Sequence, residues 1–283
     1  MHNRKKTLEA LVYGMLLIFA IITLVPFAHM LAGALKTRMD YAATLFLPAG
    51  NGWFGIGWDR ITLENFVHLF ELNLGRALLN SLFLSSVHAI LTVLFCSMGG
   101  YALSKLEFKG REFVTTLVLT ALIIPGTLLL APGFQLLYQL GLLNTYTGLL
   151  LPGLTPAFGV FLFRQAMING VPRELIEAAR IDGAGEARIF FELVLPLVRP
   201  MMGAFLMISF MGTWNNFINP QIVMQSPELQ PLSVALNNLK GLYGSDYSLI
   251  MAGTIVSIAP VMCLFLLLQR EFIAGLTGGA VKG

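Results

Sequence analysis

Charged residues are scarce in this sequence. Asp, Glu, Lys and Arg make up 12% of its 283 residues, whereas an ordinary soluble domain has about 25%. Hydrophobic residues make up 56%, and residues 113–163 contain no charged side chain at all. This composition excludes a solvated globular protein and favours a chain that lies mostly in lipid.

Motifs that hold nucleotides, metals or catalytic nucleophiles are also absent. The sequence has no GxxxxGK[ST] phosphate loop and no HExxH, CxxC or GxSxG motif. Its two cysteines, Cys96 and Cys263, lie in apolar runs without metal-ligand spacing, and we expect both to be small core residues. We therefore expect no catalytic residue, no metal site and no cofactor in this chain.

Six apolar runs are long enough to cross a membrane. A helix needs about 20 apolar residues to span the hydrocarbon core, and a helix satisfies its own backbone hydrogen bonds there. The only charged residue within the runs is Arg164, which is close enough to one end to snorkel. The sequence predicts an all-α membrane protein with one domain, 1–283, and six transmembrane helices near 10–35, 77–103, 113–131, 146–167, 201–224 and 249–269.

Two of the runs allow more than one interpretation. The first follows Arg4, Lys5 and Lys6, but it is too long for the apolar part of a signal peptide, so we expect a retained helix. The third contains two prolines, which bend helices. Either it ends near residue 131 and a short helix, Phe134–Leu140, lies along the outer surface, or it is one kinked span.

Basic residues predict the orientation in the membrane. They cluster before the first run, between the second and third, between the fourth and fifth, and after the sixth. By the positive-inside rule, both termini and the 171–200 loop then face the cytoplasm. The basic residues are not interleaved with aromatic side chains, so no nucleic-acid partner is expected.

The longest segment on the opposite side, residues 36–76, contains Trp53 and Trp58. Tryptophan in such a place is typical of an anchor at the membrane interface. The same surface is also suited to receive an external protein that delivers a solute. These two interpretations do not exclude each other.

One loop is dense in charge, and residues 173–200 read RELIEAARIDGAGEARIFFELVLPLVRP. Pro172 stands where a missing N–H costs nothing, so we predict a helix over Arg173–Ile181. Gly183 permits a sharp turn, and a second short helix, Gly185–Leu193, follows and is stopped by Pro196. Periodicity alone leaves open whether these two short helices fit into a partner protein or lie on lipid headgroups.

The order Glu177-Ala178-Ala179, Asp182-Gly183-Ala184 and Leu195-Pro196-Leu197 resembles the EAA loop of permeases of binding-protein-dependent ABC importers. In that family the loop docks into a cleft on a cytoplasmic ATPase subunit, which binds the ATP and Mg²⁺. The resemblance implies the permease fold with cytoplasmic EAA coupling helices. It also implies that Glu177 pairs with a basic residue of the ATPase and that Pro196 fixes the angle to the fifth span. The docking tip would be Glu177, Ala178, Ala179, Asp182 and Gly183.

Further patches narrow the resemblance to the carbohydrate branch of this family, and in particular to the smaller permease of the maltose system. They are Asn80-Ser81, Gly100–Ser104, Phe161–Gln165, Trp214–Phe217 and the tail Gly275–Gly283, in which Gly278 departs from the usual Ala or Ser. The resemblance implies a sugar importer in a bacterial or archaeal plasma membrane. Its other parts would be a second homologous permease, two ATPase subunits and an extracytoplasmic sugar-binding protein.

In the maltose system the C-terminal tail, here residues 271–283, inserts between the two ATPase subunits. The resemblance therefore implies ATPase contacts for Leu276, Thr277, Gly279 and Lys282. A glycine-rich terminus would otherwise be interpreted as a frayed end.

Trp214, Asn215, Asn216 and Asn219 place polar groups in the middle of the fifth run. Buried amides need partners. Either neighbouring helices supply these partners, or the four residues form a polar wall of the translocation path where sugar hydroxyls pass.

Two other functions remain open. The solute of an ABC importer could instead be a glycerol phosphate ester, a peptide or an amino acid, although the sugar-type tail argues against this. An ion-coupled carrier is less favoured because such proteins hold the ion with charged side chains inside their spans. Here the spans offer only His29 and His88 as titratable groups of that kind.

Overall fold

The computed structural model describes residues 2–242 and 246–277, and helices dominate it. Its contacts divide the chain into two compact units. The smaller unit consists of Met1–Gly75 with Leu236–Ala259, and the larger consists of Arg76–Ala235 with Pro260–Gly283.

The helices vary widely in length, and short 3-10 turns connect several of them. In chain order they are α1 (His2–Ala34), α2 (Arg38–Ala43), α3 (Glu64–Glu71), α4 (Leu74–Lys105), α5 (Arg111–Ala121), α6 (Leu130–Gln139), α7 (Tyr146–Leu150), α8 (Ala157–Gly170), α9 (Arg173–Ile181), α10 (Glu186–Arg188), α11 (Leu195–Leu197), α12 (Arg199–Trp214), α13 (Ile218–Val223), α14 (Leu232–Leu242) and α15 (Tyr247–Thr277). A π-helical turn, Ile189–Val194, joins α10 to α11.

Three helices are long and apolar enough to cross a membrane: Leu8–Ala34 of α1, all of α4, and Tyr247–Gly275 of α15. Three pairs of consecutive helical segments pass the same test only when each pair is counted together. The pairs bend by 97° between α5 and α6, by 46° before α8 and by 83° before α12. An all-α membrane protein is therefore confirmed. Up to six spans fit the described residues, and the number six stays a prediction.

Three of the expected spans are interrupted in the structure, and only for the run 113–131 was an early end or a kink predicted. The run 113–131 is interrupted after α5, the run 146–167 before α8, and the run 201–224 between α12 and α13. Pro125 and Pro156 both have extended backbone immediately before a new helical segment, with ψ of 124° and 137°. Proline lacks the N–H that would continue the ladder, which explains the first two interruptions. The helix expected at Phe134–Leu140 is α6, which begins earlier, at Leu130.

The core of the larger unit joins the end of α4, the helix α8, residues 171–198 and the start of α12. Phe163, Met167 and Val194 are fully buried in it, and Phe205 packs edge-on against Phe163 with ring centroids 5.6 Å apart. Cys96 is also fully buried there, as predicted. The prediction for Cys263 is wrong, because this side chain is exposed on α15 within the chain.

Gly100 allows α4 and α8 to approach closely. A methyl group added at Gly100 would lie 2.6 Å from Cβ of Phe163 and 2.7 Å from the backbone nitrogen of Arg164. A methyl group at the preceding Gly99 would meet only the side chain of Val160, at 3.3 Å. The backbone contact cannot be relieved by a rotamer change, whereas the contact with Val160 can.

We expect Gly100→Ala to lower the free energy of unfolding by about 1–3 kcal/mol, the usual cost of overpacking a tight core. Gly99→Ala should cost less than half as much. Thermal unfolding of the purified protein in detergent measures both variants. Equal losses at the two positions would show that α4 and α8 have room to separate.

The smaller unit is organised around the end of α1. Lys36 is fully buried, and its Nζ donates a hydrogen bond to the carbonyl oxygen of Thr44 at 2.7 Å. Asn65 in α3 donates through Nδ2 to the carbonyl oxygens of Ala34 and Lys36, at 2.7 and 2.8 Å. The last carbonyls of a helix have no partner within it, so Asn65 satisfies the Ala34 carbonyl that α1 leaves open, together with the Lys36 carbonyl just after the helix.

Candidate functional site

The segment 171–200, here called the charged segment, begins with an amphipathic helix. The helix α9 covers the residues over which a helix was predicted, and Pro172 lies at its N-cap. Ile176 points into the core with 1% of its surface exposed, whereas Ile181 at the far end is 86% exposed. One face of α9 is thus held by the protein, and its C-terminal end is presented outward.

Gly183 ends α9 in a left-handed conformation with φ of 81°. The N–H of Ala184 donates to the carbonyl of Ala179, and the N–H of Gly183 donates to the carbonyl of Arg180, both at 3.0 Å. These two bonds form the Schellman motif, which satisfies the last carbonyls of a helix and reverses the chain. The turn predicted from Gly183 therefore depends on a backbone conformation that residues with a β-carbon rarely adopt.

The second helix of the charged segment runs further than the prediction of Gly185–Leu193. It extends continuously from Glu186 to Leu197, and the 83° bend into α12 follows at Val198. Pro196 lies inside this helix, directly after the π-helical turn. Pro196 has no N–H to donate to the preceding turn, and the widened π-helical turn just before it allows the helix to continue without that hydrogen bond. Pro196 therefore does not stop the helix.

Ion pairs tie the charged segment together and to its neighbours. Arg173 pairs with Glu107, and its Nε lies 3.2 Å from Oε1 of Glu177. The hydrogen bond from the Arg173 guanidinium lowers the pKa of the Glu107 carboxyl below its ordinary value. Arg180, one turn beyond Glu177 on α9, pairs instead with Glu186 at 2.6 Å. Glu177 is thus paired within the chain, although more than half of its side chain is exposed.

The predicted docking-tip residues are mostly at the surface. Glu177, Ala178, Asp182 and Gly183 are exposed, whereas Ala179 is half-buried and packs against the core. Pro196 is exposed on the second helix of the charged segment. The exposed surface at the end of α9 is continuous over Arg180–Gly183, and Ala179 interrupts it on the N-terminal side.

A large cavity of about 970 Å³ lies among the helices of the larger unit. Three interruptions in the helices line it: Gly126 between α5 and α6, Gly153 and Pro156 between α7 and α8, and Asn216 between α12 and α13. We call it the helix-break cavity. Non-helical backbone at membrane depth is tolerated where it is buried in protein or lines a water-filled cavity. Because the three breaks line this cavity, their non-helical backbone is compatible with a membrane protein.

Most of the cavity wall is apolar, with a polar group near the middle of α4. His88 Nδ1 lies 3.0 Å from Oγ1 of Thr213 and 3.4 Å from Oγ of Ser209. Ser85, one turn away on α4, is fully buried, and its hydroxyl has no hydrogen-bond partner among the described residues. An apolar pocket with a few convergent polar groups is the usual form of a small-molecule site.

Two of the four residues predicted for the translocation path line this cavity. They are Asn216 and Asn219, and the N–H of Asn219 donates to Oδ1 of Asn216 at 3.3 Å. Trp214 is instead buried and stacks on Phe210, with ring centroids 5.6 Å apart. Asn215 is exposed and lies outside the cavity wall.

His88, Ser209 and Thr213 were missed as wall residues by the sequence analysis. His88 appeared there as a solitary histidine, because Thr213 is 125 positions away. The available signal was the spacing of Ser209 and Thr213, which places two hydroxyl groups on one side of α12, with Asn216 just beyond its end.

Other predicted contact surfaces lie elsewhere. Trp53, Phe54 and Trp58 are exposed by 82%, 93% and 53%, as either an interface anchor or a landing surface requires. In the C-terminal tail, Leu276 and Thr277 end α15. Gly279 and Lys282 lie outside the described residues.

Comparison with known proteins decides the family. Residues 97–271 match the model of the binding-protein-dependent transport system inner membrane component. The chain belongs to this family. The predicted permease is thereby confirmed as a membrane subunit of a transport system, and such a subunit is not itself an enzyme.

Two relatives of this permease show how far the similarity extends. The arabinooligosaccharides transport system permease protein AraQ of Halalkalibacterium halodurans is 44% identical over 225 residues, which cover 79% of this chain and 80% of AraQ. The lactose transport system permease protein LacG of Rhizobium radiobacter is 33% identical over 276 residues, which cover 97% of each chain.

The fold of this permease is also that of a solved structure. A chain of a bacterial ABC transporter involved in the import of the acidic polysaccharide alginate superposes with a TM-score of 0.78, covering 95% of this chain and 98% of that chain. The sequence identity is 22%. The match confirms the predicted permease type of fold.

Proposed function

We propose that this chain is a permease subunit of an ATP-driven importer for a sugar or oligosaccharide. The observation that carries the proposal is the 33% identity with a lactose permease over 97% of both chains. A second relative, whose name assigns it to arabinooligosaccharides, is 44% identical over 79% of this chain. Similarity over nearly the whole length favours a shared role for the subunit as well as a shared fold.

The proposed complex contains this chain, a homologous permease, two cytoplasmic ATPase subunits and an extracytoplasmic sugar-binding protein. ATP and Mg²⁺ bind to the ATPase subunits. Both termini and the charged segment face the cytoplasm in a bacterial or archaeal plasma membrane, since the basic residues cluster on that side. The exposed Trp53 and Trp58 lie on the opposite side and suit a contact with the binding protein.

The charged segment is proposed to receive the motion of the ATPase. The stretch Glu177–Gly183, exposed except at Ala179, fits into a cleft of the ATPase, and Glu177 exchanges Arg173 for a basic residue of that partner. Small side chains at Ala178 and Gly183 allow a close approach of the two backbones. Leu276, Thr277, Gly279 and Lys282 of the tail are proposed as further ATPase contacts, on the strength of the sequence resemblance.

The helix-break cavity is proposed as part of the sugar path. Asn216, Asn219, His88 and Ser85 offer hydrogen-bonding groups at membrane depth, where a passing hydroxyl group loses its water. Closure of the ATPase pair would open the cavity alternately to either side of the membrane, as in alternating access generally. Trp214 and Asn215 do not line the cavity, so we propose them only for the neighbourhood of the path.

The deciding experiment is uptake by vesicles that contain the complete complex. Labelled lactose and an arabino-oligosaccharide are supplied outside with the cognate binding protein, and ATP is either enclosed or omitted. We expect uptake that requires enclosed ATP and the binding protein. Uptake driven by an ion gradient without ATP would overturn the proposal in favour of a carrier. ATP-driven uptake of a peptide, an amino acid or glycerol phosphate, with no sugar transported, would overturn the choice of solute.

A further inference from the structure

A shared carboxylate fastens the charged segment to α4. The hydroxyl of Tyr101 in α4 donates to Oε2 of Glu186 at 2.6 Å. Nε of Arg180 in α9 donates to the other oxygen, Oε1, also at 2.6 Å. Glu186 begins α10, so one carboxylate joins three helices. Hydrogen bonds that involve a charged group are short and roughly twice as strong as neutral ones.

Packing around this junction leaves it little freedom. Tyr101 is only 5% exposed, and its ring packs against Phe190 with centroids 5.5 Å apart. Phe190 and Ile176, from the two helices of the charged segment, belong to the same buried core as Tyr101. The tyrosine hydroxyl is therefore held in place by the core, while the carboxylate it binds lies at the surface of the charged segment.

A second contact fastens the beginning of the charged segment to the same end of α4. Nζ of Lys105 donates to the carbonyl oxygen of Val171 at 2.6 Å. One turn earlier, Gly100 places α4 against the backbone of α8. The charged segment is thus attached to α4 both before α9 and after it.

The helix α4 continues from this junction to the helix-break cavity. His88 and Ser85 on α4 line the cavity. They lie 13 and 16 residues from Tyr101, a distance of about 20–24 Å along an uninterrupted helix. A displacement of the charged segment that reaches Tyr101 is therefore carried to the cavity wall by one rigid element.

We propose that Tyr101, Glu186 and Arg180 form a brace that converts movement of the charged segment into movement of α4. The three are positioning residues, because none of them lines the helix-break cavity and each acts through α4. The inference rests on the proposed docking of the charged segment to an ATPase. It adds the route by which the motion reaches the cavity.

The test uses Tyr101→Phe and Glu186→Gln in the complete complex in vesicles, with sugar uptake and ATP hydrolysis measured together. We expect the sugar imported per ATP hydrolysed to fall at least about fivefold, the scale of losing a hydrogen bond to a charged group. The ATPase should still co-purify and hydrolyse ATP. The double variant should be no worse than the more severe single one, because both remove the same link.

Glu192→Gln is the matched control. Glu192 pairs with Arg188 at 2.8 Å within the charged segment, and both side chains are mostly exposed. The Glu186 side chain is also partly exposed, so the two glutamates are in comparable surroundings. This pair does not extend to α4, so its loss should leave the ratio of uptake to hydrolysis unchanged.

Three results would overturn the brace. These are an unchanged ratio in both test variants, an equal fall in the Glu192→Gln control, and a proportional fall of uptake and hydrolysis, which indicates structural damage. Should Tyr101→Phe fail to insert, Glu186→Gln decides alone. Failure of the proposed function is distinct, since the unaltered chain would then show no ATP-dependent sugar uptake or would not bind an ATPase.

Discussion

Replacing Gly183 with valine is expected to lower ATP-driven uptake at least about tenfold. A residue with a β-carbon pays roughly 1–2 kcal/mol in the left-handed region, and a β-branched residue is a genuine outlier there. The backbone at Gly183 has φ of 81° and closes the Schellman turn. Valine would open that turn and displace Ala184 and Glu186 from their positions after α9. Uptake by vesicles containing the complete complex measures the loss.

Gly183→Asn provides the matched comparison at the same position. Asparagine is close to valine in size but enters the left-handed region several times more often than other residues. A methyl-sized group at Gly183 meets no atom within 4 Å inside the chain, so bulk alone causes no internal clash. We expect Gly183→Asn to retain most of the uptake. Equal losses for valine and asparagine would show that contact with the partner, and not backbone conformation, is what Gly183 provides.

A second large loss is expected when the helix-break cavity is filled from Gly212. This residue lies in the last turn of α12 and lines the cavity, and an added β-carbon has nothing within 4 Å. The β-carbon of alanine, leucine or phenylalanine therefore fits without a clash at this position, and the three residues add increasing bulk beside the cavity. If the cavity is the sugar path, uptake should fall stepwise with size, to less than about a tenth for Gly212→Phe. ATP hydrolysis should persist, because the charged segment is not altered.

Two controls separate obstruction from damage in this series. Gly14→Phe adds the same side chain on α1 at a position where a β-carbon meets no atom and which is not among the residues that line the cavity, and it should leave uptake unchanged. A short and a long sugar should also be compared, because a narrowed path excludes the longer one first. Full uptake in Gly212→Phe would mean that sugars do not pass through this cavity.

The helix α9 could be foreseen because local chemistry fixes its two ends. Pro172 is favourable just before a helix, and Gly183 supplies the conformation that ends one. Both act within a few residues of the end they define. The second helix was harder, since the π-helical turn before Pro196 allows it to continue where the proline was expected to stop it.

The interruptions of the spans could not be placed from the sequence. Pro26 and Pro260 lie inside α1 and α15 without ending them, whereas Pro125 and Pro156 each precede a new helical segment. The same residue thus gives different results, so the presence of a proline does not by itself locate a break. His88 likewise could not be assigned to the cavity, since Ser209 and Thr213 reach it only through the fold.

The uncovered apolar surface of α1 bears on how this subunit assembles with its neighbours. Within residues 2–242 and 246–277, no part of the chain covers the most apolar stretch within Leu8–Ala34. In a membrane, acyl chains or a neighbouring subunit can shield it. Because lipid tails are as apolar as leucine, close packing and not water avoidance must select a protein neighbour over lipid. The first helix is therefore free to form an interface in the assembled transporter without first breaking one of its own.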